Sequence, residues 1–147
     1  MSDPSIVTNI AADGRATVTL NRPDVHNAFD DELIARLAGD LEKLDQDSGV
    51  GVVILAAAGK SFSAGADLNW MKRVADFTEA ENLADAEAMA QMLKTLHGLS
   101  KPTIARVHGV AFGGGVGLVA CCDIAFAAAA AVFSLSEVKL GLVPATI

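Results

Sequence analysis

Val50-Gly51-Val52-Val53-Ile54-Leu55-Ala56-Ala57-Ala58 runs directly into Gly59-Lys60-Ser61-Phe62-Ser63-Ala64-Gly65-Ala66-Asp67-Leu68. The first nine residues are apolar apart from Gly51 and rich in β-branched side chains, which predicts a strand buried on both faces. Residues 59–65 then read as a loop and 66–73 as a short helix. A buried strand that passes through glycines into a helix is the repeating unit of a parallel sheet. Upstream, Ala16, Val18 and Leu20 alternate with Thr17 and Thr19, the period of a half-buried strand. Gly14 marks a turn before it, so residues 6–10 are expected to form the other arm of a hairpin. Arg22-Pro23-Asp24 breaks regular structure. Leu33, Ile34, Leu37, Leu41 and Leu44 recur at helical spacing over residues 30–47, with Asp30 and Asp31 where the helix dipole favours negative charge.

Downstream, Thr78 and Glu81 fit a capping box. It opens a helix reaching to about residue 99, with Leu83, Ala86, Ala90, Leu93 and Leu96 expected inward. Ser100-Lys101-Pro102 stops it. Residues 103–107 predict a second buried strand, followed by Gly113-Gly114-Gly115 and an apolar helix up to Cys122. Residues 124–127 and 132–134 read as short strands. The whole of residues 1–147 thus predicts one α/β domain with mainly parallel pairing.

The 147 residues suffice for a single core, and an apolar share of 52% excludes disorder on composition. A net charge of -7 opposes the sign that phosphate backbones attract, so no nucleic-acid partner is expected. No apolar run spans a bilayer, because Asp123 interrupts the best one, and no membrane partner is expected. Residues 1–8 lack a basic-then-apolar leader pattern, which leaves a cytoplasmic location as the default. Cys121 and Cys122 are adjacent, a poor geometry for a disulfide, and predict two reduced thiols packed as small hydrophobes. Residues 141–147 are apolar and contain Pro144, whereas chain ends are usually polar and exposed. The chain is therefore expected to be a fragment.

Two glycine loops stand at strand-to-helix junctions, Ser63-Ala64-Gly65-Ala66-Asp67-Leu68 and Phe112-Gly113-Gly114-Gly115. Ligands of open α/β sheets bind at such ends, and two N–H groups converging on one oxygen would form an oxyanion hole. Tight helix-on-strand packing demands glycine equally, and spacing alone leaves both readings open. A phosphate-binding P-loop at Gly59-Lys60-Ser61 fails, because Ile54 stands where that motif needs its first glycine. Gly113, Gly115 and Gly117 have the wrong spacing for a dinucleotide fingerprint. Glu137, in Phe133-Ser134-Leu135-Ser136-Glu137-Val138-Lys139-Leu140-Gly141, is a carboxylate between apolar positions after a short strand. In a pocket it could act as general acid or base; the other reading is a surface glutamate near Lys139. His26, His97 and His108 show no metal-ligand spacing, and no metal is expected. His108, beside Gly109, reads as a hydrogen-bonded core residue.

Together these motifs resemble the crotonase (enoyl-CoA hydratase/isomerase) superfamily. The likeness runs through Asn21-Arg22-Pro23, Asn27-Ala28-Phe29, residues 63–68, Lys101-Pro102-Thr103, Gly109, residues 113–115, Cys122-Asp123-Ile124 and residues 137–144. The resemblance implies a crotonase/ClpP-like spiral of strand–strand–helix units whose C-terminal helices lie beyond this chain. It implies an acyl-CoA thioester as substrate, no separate cofactor since coenzyme A is part of that substrate, and a homotrimer or dimer of trimers. It assigns the backbone N–H groups of Ala66 and Gly114 to the thioester oxygen and Glu137 to proton transfer. Val25, Ala28, Ala64, Gly65, Asp67, Leu68, Asn69, Gly113 and Gly115 would contact the substrate or its CoA moiety. One departure stands out: family hydratases carry a second glutamate in a Gly-Gly-Gly-x-Glu pattern, and here that position is Gly117. The wording of residues 66–72 with Gly117 and residues 136–141 resembles bacterial methylglutaconyl-CoA hydratases of leucine or terpenoid breakdown. Three readings follow: a lyase hydrating such an enoyl-CoA, a double-bond isomerase with one shuttling glutamate, and a non-catalytic CoA-binding module.

Overall fold

The computed structural model describes residues 4–144. Strands β1 (Ile6–Ile10) and β2 (Arg15–Leu20) form the expected antiparallel hairpin, with Ile6 opposite Leu20 and Ile10 opposite Ala16. A short 3-10 turn, Pro23–Val25, leads to α1 (Asp31–Gln46). Strand β3 (Val52–Ala57) lies parallel to β2 and is followed by α2 (Leu68–Val74) and α3 (Glu79–His97). Then come β4 (Thr103–Val107), β5 (Val110–Phe112), α4 (Gly114–Ala120), β6 (Ile124–Ala127) and β7 (Val132–Ser134), and a 3-10 turn at Ser136–Leu140. The main sheet has the order β1-β2-β3-β4-β6, parallel from β2 onward, and β5 pairs with β7 in a second parallel sheet. This α/β architecture agrees with the sequence reading.

Local chemistry accounts for the helix starts. Asp30 caps α1 by accepting the Leu33 N–H at 2.9 Å, and the five apolar positions of the helical stripe, Leu33 to Leu44, are all buried. Full burial of each such side chain contributes about 1.5–3 kcal/mol before entropy is set against it. Thr78 and Glu81 make the reciprocal capping box at α3. The stripe of α1 packs into one core with Ala16, Val18 and Leu20 of β2, Val53 and Leu55 of β3, and Ala105 and Val107 of β4.

Three expectations are corrected, and one strand is added. Strand β4 is buried on one face only: Thr103, Ala105 and Val107 are buried, while Ile104 is half-buried and Arg106 exposed. Strand β3 is not buried on both faces: Val53, Leu55 and Ala56 are buried, while Val52, Ile54 and Ala57 are half-buried. The described helices cover the face that carries Val53 and Leu55. The inward face of α3 is Met89, Met92 and Leu96, with Leu93 partly buried, whereas Leu83, Ala86 and Ala90 are exposed. This helix carries apolar residues around more than one face, so periodicity alone does not choose the buried one. Strand β5 was not foreseen; three residues are too few to show a period.

Candidate functional site

A cavity of about 1170 Å³ opens where the loops after β3 and β5 enter α2 and α4. Gly65 (φ +87) and Gly113 (φ +50) hold the two loops in backbone conformations that side chains disfavour. A Cβ on Gly65 would stand 3.0 Å from the Phe112 carbonyl oxygen and 3.6 Å from the Gly114 nitrogen. The two glycine loops therefore touch, and the missing side chain at residue 65 permits it.

The contact brings two N–H groups to the cavity. Ala66 sits in a parallel bridge with Phe29, in which Phe29 N–H donates to Gly65 O at 2.7 Å and Asp67 N–H to Phe29 O at 2.8 Å. That pairing engages the residues either side of Ala66 and turns the Ala66 N–H the other way. Gly114 is the first residue of α4, where an N–H has no partner within its helix. Among the described residues neither N–H finds an acceptor.

Glu137 faces the same place. It is the second residue of the turn after β7, and β7 is tied to the second glycine loop by Gly113 N–H donating to Ser134 O at 2.9 Å. Its carboxylate lies against Gly113, since a Cβ there would come within 2.6 Å of Oε1. The side chain is half-buried, and Oε2 is buried without a hydrogen-bond partner among the described residues. This is not the surface glutamate of the alternative reading. An unmatched buried carboxylate oxygen is costly in a fold and common where chemistry needs it.

Of the residues singled out in the sequence, Val25, Ala28, Ala64, Gly65, Ala66, Asp67, Leu68, Asn69, Gly113, Gly114 and Glu137 line this cavity. Gly115 does not: it packs on Ser63, whose carbonyl oxygen would lie 2.8 Å from a Cβ at this position. The Asp67 side chain bonds within the protein. It caps α2 by accepting from Asn69 and Trp70 N–H and pairs with Arg22 at 3.0 Å. Burial pushes its carboxyl upward, but those backbone donors and the Arg22 guanidinium outweigh burial and hold it below the usual carboxylate range. Gly117 also lines the cavity, one turn along α4 from Gly114, so no carboxylate projects from that position.

Sequence reading missed the opposite wall. Ala86, Met89, Ala90 and Leu93 of α3 line the cavity, and the Trp70 indole N–H donates to Asp85 at 3.3 Å, joining α2 to α3. The surplus apolar face of α3 was the available signal. His26 is in the lining too, at φ +54 with Nδ1 2.9 Å from Ser61 Oγ. His108 is hydrogen-bonded as expected, Nε2 lying 2.9 Å from the Gly59 carbonyl oxygen, but it is half-buried rather than in the core. Among the described residues no group of three His, Cys, Asp or Glu side chains is placed to hold a metal.

Comparison with known proteins places these features in a family. The family model described as enoyl-CoA hydratase/isomerase matches residues 11–147. A hydroxycinnamoyl-CoA hydratase-lyase from Pseudomonas fluorescens is 41% identical over 135 residues, 90% of this chain and 49% of that protein. A 2,3-dehydroadipyl-CoA hydratase from Escherichia coli is 37% identical over 127 residues, 86% of this chain and 48% of the relative. The crystal structure of an enoyl-CoA hydratase from Shewanella pealeana superposes with a TM-score of 0.93 at 45% identity, covering 97% of this chain and 54% of that one. The chain spans about half the length of the curated relatives it matches.

Proposed function

The chain belongs to the enoyl-CoA hydratase/isomerase family, and from that membership we propose that it carries the oxyanion-binding and acid–base half of an acyl-CoA hydro-lyase. The observation that carries this reading is the Glu137 carboxylate set against Gly113 at the cavity lined by Ala66 and Gly114, whose N–H groups find no acceptor among the described residues. Glu137 takes a proton from water, the hydroxyl bonds to C3 of a 2-enoyl thioester, and charge collects on the thioester oxygen. Ala66 and Gly114 N–H hold that oxyanion, and losing one such donor costs about 3–4 kcal/mol. The proton on Glu137 then passes to C2, so one water is added in full. No separate cofactor enters this scheme. Coenzyme A belongs to the substrate, and its moiety would rest along Val25, Ala28 and residues 64–69.

Methylglutaconyl-CoA is the proposed acyl substrate, on the wording of residues 66–72 and 136–141. The relatives are named for differing acyl groups, hydroxycinnamoyl and 2,3-dehydroadipyl among them, so the acyl group rests on that wording. A homotrimer or dimer of trimers in the cytoplasm is proposed with it, by resemblance to the family.

Gly117 on the cavity wall favours a second reading. Without a glutamate at residue 117, Glu137 could instead move a proton from C2 to C4 of a 3-enoyl thioester, with no water added. The test incubates the protein with methylglutaconyl-CoA and, separately, a 3-enoyl-CoA, following conjugation by absorbance and mass. Gain of one water with the first supports the hydratase, and conjugation of the second at constant mass without hydration of the first establishes the isomerase. Silence with both, despite CoA binding, leaves the non-catalytic module. Glu137→Gln is expected to lower the rate about 10²–10⁴-fold with CoA binding retained.

A further inference from the structure

Arg22 lies outside the cavity lining, yet its guanidinium reaches three groups that frame it. Nη1 donates to the Ala28 carbonyl oxygen at 2.6 Å, and Nη2 stands 2.9 Å from Asp30 Oδ2 and 3.0 Å from Asp67 Oδ2. The side chain is 22% exposed and its partners 17% and 8%, so solvent screens these pairs only in part. Each acid also caps a helix with its other oxygen: Asp30 Oδ1 accepts from Leu33 at the start of α1, and Asp67 Oδ1 from Asn69 at the start of α2.

Ala28 and Asp30 flank Phe29, and Asp67 follows Ala66. The guanidinium thus grips both strands of the Phe29–Ala66 bridge from one side. Removing it leaves two carboxylates that shared one nitrogen facing each other, and like charges at that range repel. The bridge is what aims the Ala66 N–H.

We propose that Arg22 is a positioning residue that aims the Ala66 N–H at the substrate oxygen by clamping Ala28, Asp30 and Asp67 across the Phe29–Ala66 bridge. The proposal rests on the oxyanion-hole reading above. The flat fork of arginine meets three acceptors at once, which the single ammonium of lysine does not reproduce.

The test compares the protein with Arg22→Lys and Asp67→Asn. The second keeps a capping oxygen on residue 67 and reads the same link if the first does not fold. The probe is butyryl-CoA carrying a ¹³C carbonyl, a saturated thioester that cannot be hydrated, and the readout is its infrared carbonyl stretch. The stretch is expected to move to lower wavenumber on binding the unaltered protein, and by less in both variants. In turnover, kcat is expected to fall about 10²-fold while KM changes less than about threefold, the signature of lost alignment rather than lost binding. Folded variants that keep the full carbonyl shift and kcat overturn the role of Arg22. No shift in the unaltered protein overturns the oxyanion hole itself, and the positioning role with it.

Discussion

At the scale of single residues, the site depends on side chains that are absent. Gly113 adopts φ +50 and supports the Glu137 carboxylate, which would lie 2.6 Å from any Cβ placed there. The obstacle is the end of a flexible side chain, so Gly113→Ala is expected to fold, with a backbone cost of about 1–3 kcal/mol. Glu137 would be pushed from its place, and a displacement near 1 Å can cost about 10²-fold in rate; a melting curve beside kcat separates the two effects. The cysteines make a different prediction. Burial pushes the Cys122 thiol up to about 12, with the neighbouring Cys121 adding to it, and burial raises Cys121 as well. Since the thiolate is the reactive form, iodoacetamide at pH 8 is expected to leave both thiols largely unmodified in the folded protein. Mass spectrometry after denaturation should show both alkylated.

At the scale of elements, caps and stripes divide the work. Thr78→Ala removes one half of the capping box of α3 and is expected to cost about 0.5–2 kcal/mol, measured as a shift in urea midpoint. The substitution lies at an exposed helix end away from Glu137, so activity should be unchanged. Leu37→Ala in α1, wholly buried, should cost about 2–5 kcal/mol. The two helices also show what a pattern can tell. In α1 the apolar positions occupy one stripe, and all five expected residues are buried. In α3 they wrap further round: Met92 and Leu96 enter the core, Ala86, Ala90 and Leu93 line the cavity, and Met89 does both. A helix with two apolar faces has two partners, and period alone does not say which face meets which.

At the scale of the molecule, hydrogen bonds to carboxylates contribute to stability against acid. The Arg15 N–H holds Asp13 below the usual range, the Ser100 hydroxyl does so for Asp45, and the Thr78 and Thr103 N–H groups do so for Glu81 and Asp123. Asp67 joins them despite its burial. These groups bind protons less readily folded than unfolded, so their contribution is present above about pH 4, the ordinary carboxylate range, and is lost as pH falls through their folded values. The melting temperature should therefore stay nearly level from pH 7 to about 5 and drop below about 4; an unchanged midpoint at pH 3 would contradict these assignments. The sequence by itself determined the α/β class, the hairpin, the stripe of α1, the capping box of α3 and the two glycine loops. Those follow from short-range effects: side-chain period, backbone freedom and capping chemistry act within a few residues. Only the tertiary structure decided that Gly65 meets Gly114, that Glu137 returns to Gly113, and that Gly115 packs on Ser63. It also decided that Arg22 spans to Asp67, 45 positions away, and that β3 is buried on one face more than the other. Each of these depends on which distant segments the sheet order brings together, a choice made by packing of the whole core and not by any local pattern.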